Sequence, residues 1–259
     1  MNILEQFNLH GKVAIVTGAS RGLGRGMALA LAQAGADIVG VGISDMSSLK
    51  TDIEGLGKQF LAIKADLTNS ACVNDIVAEA ISAMGHVDIL VNNAGTIRRN
   101  DFLDFSEKDW DDVMDLNLKT MFFLSQAVTK EFIAQNVDGK KQGGKIINIA
   151  SMLSFQGGLR VPSYTSSKSG VKGLTMSLAN ELAKHNINVN AIAPGYMATD
   201  NTEQLRADEK RNSEILGRIP ADRWGESSDL GGAVVFLASP ASDYVSGHTL
   251  AVDGGWLGR

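Results

Sequence analysis

The chain has almost no cysteine, little proline and no long apolar run, and each shortage excludes a class of protein. The single cysteine, Cys72, cannot form an intramolecular disulfide, so a disulfide-stabilised secreted domain is excluded and the cytoplasm is the expected compartment. Only four of the 259 residues are proline, too few for an extended linker. No run of about 18 apolar residues is free of charged or amide side chains, so no membrane-spanning segment is predicted. Residues 1–10 lack the pattern of a signal peptide.

An excess of basic residues is also missing. Lysine and arginine number 24, aspartate and glutamate 29, and the formal net charge is −5 at pH 7. Because no basic run is long enough to follow a phosphate backbone, no nucleic-acid partner is expected. The four histidines are scattered, so no metal site is predicted. Glycine, in contrast, is abundant, with 28 residues, which favours tight backbone turns within regular structure.

Short β-branched runs alternate with longer helical stretches along the whole chain. This alternation predicts one α/β domain over residues 1–259, a Rossmann-type doubly wound parallel sheet of about seven strands with helices on both faces. The polar loop 136–144 is too short to separate domains. The predicted strands are 13–17, 37–43, 59–64, 86–91, 145–149, 187–192 and 248–252, and the predicted helices are 22–35, 47–56, 69–84, 106–135, 161–185, 200–216 and 227–237.

A glycine-rich turn follows the first predicted strand and leads into a helix. Glycines at this point allow a sharp turn and a close approach of the backbone, and the N–H groups of a helix start can bind a pyrophosphate. The spacing G-x-x-x-G-x-G differs from the usual dinucleotide fingerprint, and such a turn by itself can be only a tight turn. Its place in a strand–helix–strand unit favours a dinucleotide, with candidate contacts Gly18, Ser20, Arg21, Gly22, Leu23 and Gly24.

The residues after the second strand leave the choice of nucleotide open. An NAD-preferring site usually places a carboxylate on the ribose near the end of that strand, where this chain has Gly42 and Ile43. Asp45 lies further along the loop. Arg21 is instead suited to a 2′-phosphate, because a guanidinium makes that contact with two parallel hydrogen bonds. We predict NAD as the cofactor, with NADP as the alternative.

Tyr164 and Lys168 are four residues apart in a predicted helix, so their side chains lie on one face. A nearby ammonium favours the phenolate and lowers the pKa of a tyrosine, which can then exchange a proton with an alcohol or a carbonyl. Ser151, just beyond the fifth strand, can orient the reacting oxygen, and Asn117 can bend its long helix or bind a water. Each of these residues alone is more often an ordinary surface or capping residue.

Together these motifs resemble the short-chain dehydrogenase/reductase family in order and spacing, over the whole chain. The resemblance implies a catalytic tetrad of Asn117, Ser151, Tyr164 and Lys168, in which the lysine also binds the nicotinamide ribose and the asparagine holds a water in a proton relay. It also implies a homotetramer. The motifs are 17–24, 92–95, Asn117, Ser151, 164–168, 194–195 and 252–255, and the further cofactor contacts implied are Asp66, Leu67, Asn93, Ala94, Gly95, Tyr164, Lys168, Pro194, Gly195, Met197 and Thr199.

Within this family the stretch 144–199 is similar to dehydrogenases of small sugar acids, which implies such a substrate, from uronate breakdown. A sugar acid needs a cation for its carboxylate, and arginines follow the fourth and fifth strands at the edge where open α/β sheets bind ligands. The alternative is that these arginines pair with surface acids or a neighbouring subunit. The candidate substrate residues are Arg98, Arg99, Ser151, Gln156 and Arg160, and residues 196–216 form a candidate lid.

Two other functions stay open from the sequence. One is another reductase of the same family, acting on gluconate or on a 3-oxoacyl carrier protein. The carrier protein is acidic and would need a basic docking patch, which a net charge of −5 does not favour. The other is a dinucleotide-binding module without catalytic activity, which the presence of all four tetrad residues argues against.

Overall fold

The structure, a computed structural model, describes residues 2–135 and 143–259. Seven parallel strands form one sheet in the order β3-β2-β1-β4-β5-β6-β7, as a doubly wound fold requires. The strands are β1 (Val13–Thr17), β2 (Asp37–Gly42), β3 (Phe60–Lys64), β4 (Ile89–Asn92), β5 (Gly144–Ile149), β6 (Ile187–Pro194) and β7 (Thr249–Val252). Most of the predicted loop 136–144 lies outside the described residues.

Helices cover both faces of the sheet. They are α1 (Gly22–Gln33), α2 (Ser47–Gly55), α3 (Val73–Met84), α4 (Glu107–Met114), α5 (Met121–Ala134), α6 (Pro162–Leu182), α7 (Glu203–Ala207), α8 (Glu209–Leu216) and α9 (Gly231–Ala238). One apolar core joins α1, α2 and α9 to the sheet, through residues such as Met27, Leu49 and Val234. A second core on the other face joins α3, α5 and α6, through residues such as Ile76, Val128 and Ala179. The predicted fold class is confirmed.

The predicted helix 106–135 is not continuous. It starts as expected, with the Ser106 hydroxyl accepting from the Asp109 backbone N–H, but Asp115–Thr120 forms a π-helical turn between α4 and α5. Asn117 lies in this turn, and its buried amide bonds to the backbone of Thr96 instead of facing solvent. The turn therefore contacts the loop that follows β4. Single turns of π-helix inside α-helices are frequent at functional sites.

The predicted helix 200–216 is also wrong as one element. A short 3-10 turn, Asp200–Thr202, is followed by α7 and then by α8. Asp208 separates the two helices because its backbone is extended and its carboxylate caps α8 by accepting from the Arg211 N–H. The other boundaries differ less: residues Ser70–Cys72 form a 3-10 turn before α3, and β4 begins only at Ile89, because the carboxylate of Asp88 binds the Val13 N–H.

No helix in the described parts of the chain is long and apolar enough to cross a bilayer.

Candidate active site

The glycine-rich turn takes a shape that demands glycine. Gly18 and Gly22 have φ of +65° and +53°, in the left-handed region that β-carbons disfavour. A Cβ on Gly24 would lie 2.2 Å from the carbonyl oxygen of Gly18. Arg21, the residue before α1, makes no side-chain cap, so the first N–H groups of the helix are not capped by that side chain. The turn therefore fits the pyrophosphate of a dinucleotide, and Ser20 and Leu23 lie within it, partly buried.

Hydrogen bonds to Thr17, the last residue of β1, hold the loop after β4 beside this turn. The Thr17 hydroxyl accepts from the backbone N–H groups of Asn93 and Ala94, each at 2.9 Å, and the Asn93 amide donates to the Thr17 carbonyl at 2.8 Å. A Cβ on Gly95 would lie 3.2 Å from the side-chain oxygen of Asn117. The predicted cofactor contacts 93–95 thus connect the glycine turn to the catalytic residues.

The nucleotide end of the cleft is open. Asp66, just beyond β3, is exposed, and bonds from the Thr68 N–H (3.0 Å) and hydroxyl (2.8 Å) lower the pKa of its carboxyl. Leu67 beside it is buried. A Cβ on Gly42 would meet nothing within 4 Å, so the end of β2 leaves space for a ribose. Arg21 forms an exposed ion pair with Asp200 at 3.2 Å.

Tyr164 and Lys168 lie on one face of α6, as predicted. The Lys168 ammonium is 5.6 Å from the centre of the Tyr164 ring and donates to the Ile149 carbonyl at 2.6 Å. Burial lowers the pKa of Lys168 from 10.5 to about 8. The side chain is therefore a buried cation held at the carboxyl end of β5.

The expected lowering of the Tyr164 pKa is wrong. Burial raises the pKa of Tyr164, because it penalises the phenolate more than the neighbours stabilise it. A hydrogen bond with Ser151 and the positive charge of Arg99 oppose this rise. Arg99 is thus a second cation, besides Lys168, that lies close enough to act on the Tyr164 phenol.

Ser151 and Lys168 are joined through Ser154, a residue that was not among the predicted site residues. The Ser154 hydroxyl accepts from the Ser151 backbone N–H at 3.3 Å and donates to the Lys168 carbonyl at 2.6 Å. Ser151 itself caps the Met152–Ser154 turn, accepting from the Leu153 N–H at 3.1 Å. One buried hydroxyl therefore ties the serine loop to the catalytic helix.

Asn117 completes the group from the π-helical turn. Its oxygen accepts from the Thr96 N–H at 2.8 Å, and its NH₂ donates to the Thr96 carbonyl at 2.9 Å and to the Ser167 hydroxyl at 3.2 Å. Ser167 in turn donates to the Tyr164 carbonyl at 2.8 Å. All four tetrad residues are thus connected, directly or through one further serine.

The three predicted substrate arginines differ in their surroundings. Arg98 binds Asp112 at 3.1 Å and Asp109 at 3.6 Å, and Arg160 binds Asp101 at 2.9 Å. Arg98 and Arg160 therefore agree with the alternative interpretation, in which these arginines pair with nearby acids. Arg99 lies close enough to Tyr164 for its charge to act on the phenol.

The remaining predicted residues line the far wall of the cleft. Pro194 ends β6, and the Gly195 N–H donates to the Val252 carbonyl at 3.0 Å. Met197 is buried, and Thr199 lies over the glycine turn, 3.8 Å from where a Cβ on Gly22 would be. Gln156 accepts a hydrogen bond from the indole of Trp256 at 3.2 Å. No three potential metal ligands cluster among the described residues.

A family model described as short chain dehydrogenase matches residues 12–210. The chain belongs to the short-chain dehydrogenase family. This short-chain dehydrogenase is 65% identical over 257 residues to the 2-dehydro-3-deoxy-D-gluconate 5-dehydrogenase of Escherichia coli K12, covering 99% of this chain and 100% of that one. The family and the sequence similarity confirm the predicted oxidoreductase class, with a nicotinamide cofactor.

Two solved structures extend the similarity of this short-chain dehydrogenase. A protein from Agrobacterium tumefaciens, provisionally named a 2-deoxy-D-gluconate 3-dehydrogenase and solved with NADP, is 52% identical with a TM-score of 0.90, covering 98% of this chain and 99% of that one. A gluconate 5-dehydrogenase from Burkholderia cenocepacia, in complex with NADP and tartrate, is 36% identical with a TM-score of 0.93, covering 99% of each chain.

Proposed function

We propose that the chain interconverts 2-dehydro-3-deoxy-D-gluconate and 3-deoxy-D-glycero-2,5-hexodiulosonate, a step of uronate breakdown. The observation that carries the proposal is the connected tetrad of Asn117, Ser151, Tyr164 and Lys168, beside a turn that fits a dinucleotide. The identity of 65% with the E. coli enzyme supports the choice of substrate.

When bound, the nicotinamide dinucleotide supplies the hydride acceptor for oxidation and the hydride donor for reduction. Tyr164 exchanges the proton on the C5 oxygen, and Ser151, which hydrogen-bonds Tyr164, orients that oxygen. Because burial raises its pKa, Tyr164 is a phenol at neutral pH and is prepared to donate its proton to a C5 carbonyl. Lys168 and Asn117 form the route by which this proton is replaced. The turn 18–24 and residues 66–67, 93–95 and 194–199 hold the dinucleotide.

Arg99 is the residue we assign to the substrate carboxylate. Its positive charge acts on the Tyr164 phenol, so its guanidinium lies beside the group that exchanges the proton. The loop that carries it is fixed on both sides, by Asn117 at Thr96 and by the Asn100 N–H, which donates to the Arg160 carbonyl at 3.1 Å. Arg98 and Arg160 then act by shaping this loop.

For the dinucleotide we propose NAD in preference to NADP. The support is the pair between Arg21 and Asp200, since the carboxylate repels a 2′-phosphate and occupies the guanidinium that would bind it. Asp200→Ala should then raise kcat/KM with NADPH relative to NADH. An unchanged ratio would contradict this role of Asp200.

The remaining parts of the proposal concern the chain as a whole. Residues 196–216 serve as a substrate lid on a single domain, and the enzyme is a cytoplasmic homotetramer. Partly exposed apolar side chains on α4, α5 and α6, such as Trp110, Phe123 and Met176, support an interface between copies. Light scattering on the protein as it elutes from a size-exclusion column measures its molar mass and so the number of subunits.

A second candidate is a gluconate 5-dehydrogenase, favoured by the similarity to the Burkholderia protein. The deciding experiment follows NADH and NADPH oxidation with the 2,5-diketo sugar acid, with 5-ketogluconate and an acetoacetyl thioester as alternative substrates. Turnover of the diketo acid alone supports the proposal. Turnover of 5-ketogluconate alone supports the second candidate, and turnover of the thioester alone contradicts both.

Tyr164→Phe tests the chemical step. It should lower kcat by about 10³-fold, in the range of general acid–base catalysis, while the dinucleotide dissociation constant stays unchanged. Strong residual turnover would contradict the role of Tyr164.

A further inference from the structure

Trp256 connects a distant part of the chain to the predicted substrate loop. It lies in the short turn Trp256–Gly258 after β7, and its side chain is buried. Its indole N–H donates to the side-chain oxygen of Gln156 at 3.2 Å. Gln156 follows Ser151 by five residues, on the loop that Ser151 itself caps. The contact therefore reaches the loop that carries a catalytic residue.

The chemistry of the indole decides how the Gln156 amide is oriented. An indole N–H can only donate a hydrogen bond, so the amide must present its oxygen to Trp256. Its NH₂ group then faces the other way, with two N–H bonds that can only donate. No other hydrogen bond of this side chain is found among residues 2–135 and 143–259. The amide is thus a donor toward whatever ligand approaches it.

The indole is itself held from several sides. The Tyr196 ring packs against it edge-on at 4.8 Å, and the Arg218 guanidinium lies 4.1 Å from its ring centre. Asp253 fixes the turn, accepting from the N–H groups of Gly255 at 2.9 Å and Leu257 at 2.8 Å. Tyr196 begins the candidate lid 196–216 and Arg218 follows its end by two residues, so the indole lies where the lid meets the loop of Gln156.

We propose that Trp256 is a positioning residue for substrate recognition, which holds the Gln156 amide so that its NH₂ donates to an oxygen of the sugar acid. The proposal rests on the proposed function, because it requires an oxygen-rich substrate beside Ser151. A sugar acid offers carboxylate, carbonyl and hydroxyl oxygens, all of which accept such a bond. If the amide were reversed, its oxygen would face the carboxylate and oppose binding.

Trp256→Phe removes the N–H and keeps an aromatic ring against Tyr196. We expect KM for the sugar acid to rise about tenfold, as for one lost hydrogen bond, with kcat and KM for the dinucleotide unchanged. Trp224→Phe is the matched comparison. Its ring also packs edge-on against Tyr196, at 5.4 Å, but its N–H binds Asn212 of the candidate lid at 2.7 Å. This variant reports the loss of a lid contact alone, so its KM for the sugar acid should rise less than that of Trp256→Phe.

A second set of variants separates orientation from packing. In a Gln156→Ala background, Trp256→Phe should have no further effect on KM. Gln156→Glu keeps an acceptor for the indole but replaces the donor by a carboxylate, so it should raise KM for the sugar acid more than Gln156→Ala does. Because the indole contact is retained, this variant also tests the proposal if Trp256→Phe fails to fold.

The outcomes distinguish this proposal from the proposed function. KM is measured with whichever sugar acid the wild type turns over. An unchanged KM in Gln156→Ala and Gln156→Glu, or an effect of Trp256→Phe that persists without Gln156, overturns the role of Trp256 and leaves the proposed function standing. Absence of turnover with every sugar acid overturns both.

Discussion

Strands β1 and β2 bury apolar side chains almost exclusively, whereas β4, β5 and β6 each bury an asparagine. The Asn92 amide donates to Ser125 of α5 and to Asn148, both at 2.9 Å, and Asn148 donates to Thr175 of α6 at 3.0 Å. Asn190 donates to the Val245 carbonyl at 2.8 Å. Apart from Thr17, whose hydroxyl binds the loop after β4, the buried side chains of the nucleotide half (β1–β3) are held by apolar packing. Those of the catalytic half (β4–β6) are held by hydrogen bonds as well.

This difference follows the task of each half. The nucleotide half must let the backbone of the glycine-rich turn approach a ligand closely, which requires positions without a side chain. Non-directional apolar packing around the turn is sufficient for this. The catalytic half must hold hydroxyl, phenol and ammonium groups on α6 and on the loops after β4 and β5. Hydrogen bonds between α5, the sheet and α6 fix how these elements are rotated, which apolar contacts alone do less well.

Among changes that compare the two halves, the largest expected effect is in the nucleotide half. In Gly24→Ala the new Cβ would lie 2.2 Å from the Gly18 carbonyl oxygen, so the turn has to open. We expect the dinucleotide dissociation constant to rise by about 100-fold or more, roughly 3 kcal/mol, in a fluorescence titration. Gly232→Ala is the control, because its Cβ meets nothing within 4 Å on α9. An unchanged affinity in Gly24→Ala would show that close approach is not needed.

The buried ammonium of the catalytic half gives the next effect. Burial lowers the Lys168 pKa from 10.5 to about 8, so the folded chain binds this proton less tightly than the unfolded chain. The cost is complete below about pH 8 and is relieved between about pH 8 and pH 10.5, so wild-type stability should gain up to roughly 3 kcal/mol over Lys168→Met across this interval. Urea unfolding without dinucleotide measures the difference. Parallel pH profiles would contradict the assignment.

The hydrogen bonds of Asn92 and Asn148 should contribute less to the free energy of unfolding than the pH-dependent change expected for Lys168. Asn148→Ala removes bonds to Asn92 and Thr175, and should lower the free energy of unfolding by about 2 kcal/mol. Ile15→Val, a conservative change in the fully buried β1, should cost about 1 kcal/mol. The two halves are compared through the activity of these variants. Asn148→Ala should lower kcat while the dinucleotide affinity stays the same, whereas Ile15→Val should change neither. Equal losses of kcat would remove the distinction between the halves.

The smallest effect is expected at Ser154. Ser154→Ala removes the link between the Ser151 N–H and the Lys168 carbonyl and should lower kcat by about tenfold, as for one lost hydrogen bond that positions a reacting group. Weakening the Ser151 bond raises the pKa of Tyr164, which also faces Arg99 and Lys168, so the rise of the oxidation rate with pH should move to higher pH. Ser163→Ala is the control, since the buried Ser163 hydroxyl has no partner in the described chain. A pH profile like that of the control would contradict the positioning role.

Local signals determined much of this protein. β-branched runs and helical spacing predicted the seven strands and the sheet class, because they report burial along one element. The glycines at 18, 22 and 24 and the Tyr164–Lys168 pair are short-range motifs, so their placement on a turn and on one helix face could be predicted. The difference in core chemistry between the two halves is also visible in the strand sequences, which contain Asn92, Asn148 and Asn190.

Only the tertiary structure decided which of these residues meet. Arg160 binds Asp101, the Ser154 hydroxyl binds the Lys168 carbonyl, and the Trp256 indole binds Gln156, 100 residues away in the sequence. No periodicity in the chain encodes such pairs. In the π-helical turn, the buried Asn117 amide bonds to Thr96, a residue of the loop after β4 that is distant in the sequence. The sign of the Tyr164 shift likewise depends on burial, which competes with nearby charges only once the chain is folded.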